Sequence, residues 1–196
     1  FIDKNGDEPS PAAYKRAAEK LGVSVAAIRA IYKTEVGKNA YDKKGRIKVL
    51  FERHYFHRLT NGKYDNSHPN ISNKSWGGYG KGSQHIRLNK AAALDKEAAY
   101  ASTSWGGFQI MGSNYKAAGY KSALEFGEAM LSGNEDVHLA SFTSFVSNNK
   151  GMLKDLKDGN WAGFARKYNG PKYAENKYDV KMKINDELKN SAASAD

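Results

Sequence analysis

The stretch from Ser10 to Gly22 is delimited at both ends: Ser10 stands as a cap, Pro11 takes the first helical position, and Gly22 follows the last apolar residue. A serine hydroxyl satisfies an N–H group left over at a helix start, proline has no N–H to lose there, and glycine accepts the left-handed turn that ends a helix. Punctuation of this kind recurs along the chain. Ser24 precedes Ile28, Ile31, Tyr32 and Glu35, which are spaced by three and four residues as on one helical face. Ser122-Ala123-Leu124-Glu125 reads as a capping box. Asn134 precedes Val137, Phe142, Phe145 and Val146, and Asp158-Gly159 precedes the stripe Trp161, Phe164, Ala165 and Tyr168. Helical patterning also runs through Gln84 to Leu94 and Asp95 to Ser102, and a polar, lysine-rich helix is predicted near Tyr178 to Leu188. The chain is therefore expected to be predominantly helical.

Two regions break the pattern. Asp42-Lys43-Lys44-Gly45 is a turn sequence, and Arg46 to Glu52 alternates in part like a β-strand, which together predict a small hairpin. From Asn61 to Ser83 the chain is rich in Gly, Asn and Ser, and so long a loop inside a compact domain is expected to border a functional site. No repeat or low-complexity tract appears. At 196 residues with 40% apolar content, the chain suits one well-buried core and a single domain over residues 1–196. Helices with one small hairpin make an α+β domain with orthogonal helices.

With no cysteine, neither a disulfide framework nor a Cys-type zinc site is available, and stability has to come from packing. No apolar run approaches the roughly 20 residues that span a bilayer. The opening residues Phe1 to Asp7 lack the basic and apolar regions of a secretory signal, so no export route is expected to be encoded here, and a chain that opens on Phe1 leaves room for an upstream segment. The 31 basic and 21 acidic residues give a net charge of +10, which predicts attraction to a polyanion: nucleic acid, anionic membrane or anionic cell wall. Basic residues are scattered over every segment and match no nucleic-acid-binding motif, so nucleic acid is not expected as a partner. The five histidines, His54 and His57 among them, fit no compact ligand set, so no metal or other cofactor is expected.

Glu35 is the most informative residue. A carboxyl group on an apolar stripe loses hydration, and the end of a helix adds partial negative charge, so both effects should raise its pKa. An acid still protonated near neutral pH is what glycosidic cleavage needs, because the leaving sugar oxygen must receive a proton. Periodicity alone leaves open a glutamate whose stem packs while its head reaches water. A second element, Ser104-Trp105-Gly106-Gly107-Phe108-Gln109-Ile110-Met111-Gly112, pairs two glycines that permit close backbone approach with a Gln109 amide suited to sugar hydroxyls. By spacing alone it is a packed turn. The third, Lys167 to Ala174, stops a helix at Gly170-Pro171 and leaves Tyr168, Asn169 and Tyr173 beside the turn.

A Glu closing an early helix, then Gly-Phe-Gln-Ile-Met, then Tyr-Asn-Gly-Pro resembles the signature of goose-type lysozymes and lytic transglycosylases. More closely, Lys48 to His54, Ala91 to Asp95, Ala101 to Gly112 and Tyr168 to Pro171 resemble the N-acetylmuramidase family of bacteriophage endolysins, over about Tyr14 to Lys183. The resemblance implies a lysozyme-like fold with its hairpin beside the active-site cleft. It implies hydrolysis of the β-1,4 bond between N-acetylmuramic acid and N-acetylglucosamine in peptidoglycan, or transglycosylation to 1,6-anhydro products as the alternative, and with it cell lysis. It implies Glu35 as general acid, a sugar-binding wall at Gly107, Gln109 and Ile110, and substrate contacts from Tyr168 and Asn169. Glu52 becomes the leading second carboxylate, with Asp42 and Asp65 as competitors. Glycan strands are the expected partner, with anionic outer-membrane lipids as a further target of the basic surface, and a monomer is expected. A host-cytoplasmic origin and action on the wall from the periplasm follow. One position departs: the superfamily often has Ser directly after the acid, but here Val36 follows Glu35, which leaves the acid's local hydrogen bonding open. A non-catalytic wall-binding module would have no need for a carboxyl on an apolar stripe.

Overall fold

The computed structural model describes residues 8–37 and 39–170. In chain order come α1 (Pro11–Leu21), α2 (Val25–Glu35), β1 (Val49–Phe51), α3 (Arg53–Leu59), α4 (Gln84–Leu94) and α5 (Lys96–Ala101). Then follow β2 (Thr103–Trp105), β3 (Ile110–Met111), a 3-10 turn (Gly112–Asn114), α6 (Ala123–Ser132), α7 (Glu135–Ser147), α8 (Lys150–Lys157) and α9 (Trp161–Asn169). The mostly helical composition with a small antiparallel sheet agrees with the expected α+β class. Among the described residues, contacts group the chain into two compact units, one joining those up to Ala40 with those from Asn134 to Gly170, the other formed by Tyr41–Gly133.

The first unit is helical. Ser10 caps α1 as predicted, its side chain accepting from Ala13 N, and Gly22 ends the helix at φ 66°. Ser10 also donates from N and Oγ to the two Asp136 carboxylate oxygens at 2.7 and 2.8 Å, which ties the start of α1 to α7. Ser24 and Asn134 cap α2 and α7 as read from the sequence. Tyr14, Leu21, Ile28, Ile31, Leu139, Phe142, Val146 and Phe164 are buried and form this unit's core. The helix α8, which the sequence pattern did not suggest, opens on an Asn149 cap.

The second unit is built on the three-stranded sheet in the order β1-β2-β3. The hairpin predicted over Asp42 to Glu52 shrinks to one bridge, Tyr41 with Ile47, around the Asp42–Gly45 turn. The strand itself pairs antiparallel with a distant segment, Val49 opposite Trp105 and Phe51 opposite Thr103. The local hairpin is β2 to β3, inside the segment read as a packed turn. Ser122 caps α6, but Glu125 accepts from Lys121 N and not from Ser122 N, so the capping box is displaced by one residue on its return arm. Residues from Asn61 to Ser83 form no helix or strand, as expected. Among the described residues no helix is long and apolar enough to cross a membrane, and no group of three or more His, Asp or Glu could hold a metal ion. The lysine-rich helix predicted near Tyr178 to Leu188 lies outside the described residues.

Candidate active site

Glu35 is the last residue of α2 and is half-buried. Its carboxyl is pushed up from 4.5 to about 7, chiefly because burial disfavours the charged form. The partial negative charge of a helix C-terminus acts in the same direction. Against these, Asn169 Nδ2 donates to Glu35 Oε1 at 3.3 Å, which favours the carboxylate and moderates the rise. This bond supplies the polar support that the Val36 departure left open. It also joins two of the sequence motifs in one unit, since Asn169 closes α9 just before Gly170 turns the chain at φ 79°.

Tyr168 is placed differently from its neighbour. Its ring packs against Phe142, Phe145 and Phe164 with centroids 5.5, 6.3 and 5.9 Å apart, and the residue is half-buried. Most of its ring thus serves the core.

In the second unit Glu52 follows β1 directly and stands at the N-cap of α3, with no side-chain capping bond. Its side chain is 13% exposed. Tyr79 Oη donates to Glu52 Oε2 at 2.5 Å, and His54 Nδ1 lies 3.5 Å from the same oxygen. Burial, then the bond to Glu52, raises the Tyr79 hydroxyl well above its ordinary pKa, so Tyr79 stays a donor. The sequence reading missed Tyr79, and it missed Arg87. This guanidinium is buried, and among the described residues no carboxylate forms an ion pair with it; it donates to Phe51 O, Gln84 Oε1 and Asn70 O, each at 3.0 Å. Gln84 Oε1 accepts in turn from Phe51 N at 3.1 Å, and its Nε2 donates to Tyr79 O at 3.2 Å. Arg87 and Gln84 therefore fix both the strand end that presents Glu52 and the loop that presents Tyr79. The signal available in the sequence was an arginine on the apolar face of α4, beside Leu88 and Ala91.

The competitors are occupied by local structure. Burial alone would raise the Asp42 carboxyl, but hydrogen bonds from Arg46 and Lys44 hold it below its ordinary range, and Arg46 Nη2 pairs with it at 2.7 Å. Asp42 closes its own turn. Asp65 is also held low, first by the Ser72 hydroxyl at 2.5 Å and then by His57 Nδ1 at 2.6 Å. It cross-braces the long loop.

Gly107 and Ile110 are buried, so they offer backbone at most to a ligand, whereas Gln109 is half-buried at the hairpin tip. Gln109 takes φ 53°, a left-handed conformation that non-glycine residues adopt at a cost of about 1–3 kcal/mol and that concentrates at functional positions. Its Nε2 donates to Gly106 O at 2.7 Å and reaches Lys48 O at 3.5 Å.

Residues 24–187 match the sequence model of the N-acetylmuramidase family. No curated relative matches the chain. Among solved structures, the crystal structure of a Burkholderia AP3 phage endolysin is similar at 36% identity and a TM-score of 0.85, over 94% of this chain and 73% of that one. The family match over most of the chain, together with this structural similarity, shows that the chain belongs to the N-acetylmuramidase family and is a glycoside hydrolase acting on peptidoglycan.

Proposed function

We propose that the chain hydrolyses the β-1,4 bond between N-acetylmuramic acid and N-acetylglucosamine as one catalytic domain, and so lyses cells in the manner of an endolysin. The observation that carries this reading is the Glu35 carboxyl, lifted by burial to about 7 and therefore still protonated in much of the protein at neutral pH. Glu35 gives its proton to the glycosidic oxygen as that bond breaks and the sugar carbon gains positive charge. Glu52 serves as base for the attacking water or stabilises the charged sugar, with Tyr79 setting its orientation. That Asp42 and Asp65 are engaged in their own turns favours Glu52 over both. Gln109 and Asn169 contact sugar hydroxyls directly; Gly107 and Ile110 shape the wall through their backbone, and Tyr168 through its ring edge. The protein acts as a monomer from the periplasmic side of the wall, and the +10 charge draws it to anionic wall polymers and outer-membrane lipids.

Digestion of purified peptidoglycan tests the reaction. Reducing N-acetylmuramic acid ends are expected, absent with Glu35→Gln. A majority of 1,6-anhydro ends would assign transglycosylation instead, and reducing N-acetylglucosamine ends would move the cut to the other linkage.

A further inference from the structure

Trp76 is 70% exposed, more than any other large apolar side chain among the described residues. Its loop is nevertheless held firmly. Arg53, at the head of α3, donates from Nε to Ser75 O at 2.9 Å, from Nη2 to Trp76 O at 3.3 Å and from Nη1 to Pro69 O at 3.5 Å. The next residues are Gly77 and Gly78, at φ +118° and +77°, and a Cβ on Gly78 would fall 3.0 to 3.3 Å from the Arg53 side chain. The positive φ at both positions favours glycine, and the missing Cβ at Gly78 leaves the Arg53 side chain room to lie against the loop. The indole meets the Tyr79 ring edge-on, with centroids 5.0 Å apart and planes at 73°. Tyr79 in turn donates to Glu52 at 2.5 Å. The exposed indole is thus one aromatic ring removed from the candidate second carboxylate.

A fixed, uncharged ring face open to water suits the C–H face of a pyranose, whose weakly positive hydrogens meet the negative ring face while apolar surface leaves water. A protein partner would need an interface many times larger than one ring, and the flanking residues Asn73, Lys74 and Ser75 are polar. They suit the hydroxyl and acetamido groups around a sugar's rim. We propose that Trp76 is the floor of a saccharide subsite that takes one N-acetylhexosamine ring of the glycan strand, adjacent to the sugar at Glu52. The proposal rests on the reading of Glu52 as part of the reaction centre.

Soluble glycan strands and N-acetylglucosamine oligomers are the probes, with binding measured on the Glu35→Gln protein and turnover on the active one. Burying one face of an indole corresponds to about a tenfold change in affinity. Trp76→Ala is therefore expected to raise Kd and KM about tenfold with kcat little changed, Trp76→Phe to recover part of the loss, and saccharide-induced fluorescence change to disappear in the Ala variant. Because the side chain is exposed, melting should not move. Unchanged Kd and KM with Trp76→Ala, or a fluorescence change that survives it, would overturn the subsite. Glu52→Gln is the separate control. If it leaves turnover near normal while Trp76→Ala still weakens binding, the subsite stands and the role of Glu52 fails.

Discussion

Glu35 should announce its burial in the protein's stability as well as in its rate. The folded state holds the carboxyl at about 7 against an ordinary 4.5, so between those values the folded protein keeps a proton that the unfolded chain has released. By linkage, stability from this group is fully present below about 4.5, declines as pH rises, and is lost above about 7. The full difference corresponds to roughly 3 kcal/mol, which partial exposure to water reduces to about 2–3 kcal/mol. Glu35→Gln keeps the shape but has no charge to bury. Compared by denaturant titration at a series of pH values, the two proteins should match near pH 4, where both carry a neutral side chain. By pH 8 the variant should be the more stable by about 2–3 kcal/mol, or about 5–10 °C in Tm for a chain of this size. Every other carboxylate titrates in both proteins, so the difference isolates Glu35. Turnover of the variant should fall by about 10² to 10⁴ below about pH 7, where the wild-type acid still holds its proton. A stability difference that is flat with pH, or that favours the wild type as pH rises, would refute burial as the source of the raised acid. Loss of activity alone would then say nothing of how the proton is held.

Three further outcomes follow from the same contacts. Asn169→Ala removes a donor that favours ionised Glu35, so the alkaline limb of the kcat/KM profile should move to higher pH; a limb that stays or moves down would deny the contact any electrostatic role. Tyr79→Phe deletes the bond to Glu52, which, as a hydrogen bond to a carboxylate, is worth about 1.5–3 kcal/mol of stability, so Tm should fall by about 3–12 °C and kcat at least tenfold; full kcat would leave the hydroxyl a merely structural part. Arg87→Met strips donors from Phe51 O, Gln84 Oε1 and Asn70 O, and chemical denaturation should show a loss of about 2–4 kcal/mol, since stranded buried acceptors outweigh the relief of a buried charge. A neutral or more stable Met variant would show that the charge was the dominant burden.

What was legible in the sequence follows the range of the interactions involved. Glu35 could be placed because its helix is framed by local signals, Ser24 before it and an apolar stripe along it. The helices α1, α6 and α7 were legible for the same reason, each opening on a capping side chain, and α9 was legible from its apolar stripe after Asp158-Gly159. The helix α3 was missed because it starts directly from a strand, its N-cap Glu52 making no capping bond. The pairing of Val49–Phe51 with Thr103–Trp105 joins segments some fifty residues apart, and no local pattern encodes it. The Asp42–Gly45 turn therefore suggested a neighbouring strand partner that the chain does not use. Tyr79 and Arg87 escaped notice on the same ground. Their importance lies in reaching across to Glu52 and Phe51, and neither stands near them in the chain.

The segment from Ser104 to Gly112 shows how a family motif divides between building and binding. Trp105 is buried and donates to Tyr100 O at 3.1 Å; Phe108 and Ile110 are buried beside it. Gly106 takes φ 71° and donates to Lys48 O at 2.7 Å, which ties the hairpin to the strand leading to Glu52. At Gly112 a Cβ would stand 1.9 Å from Tyr100 O, a backbone atom with no rotamer to yield, so no other residue fits without moving α5. These positions are dictated by packing and would be demanded by the hairpin whatever the protein did. Gln109 is not explained this way. Its left-handed backbone would suit glycine better, and its Nε2 serves a turn that the Gln109 N to Gly106 O bond at 3.2 Å already closes. The side chain is half-exposed, and the hydrogen bonds that fix its amide nitrogen leave its carbonyl oxygen aimed elsewhere with acceptor capacity to spare. Under the proposed function, that oxygen is where Gln109 would accept from a hydroxyl or acetamido group of the glycan. For that reason Gln109 is the residue of this motif on which the proposed sugar contact rests.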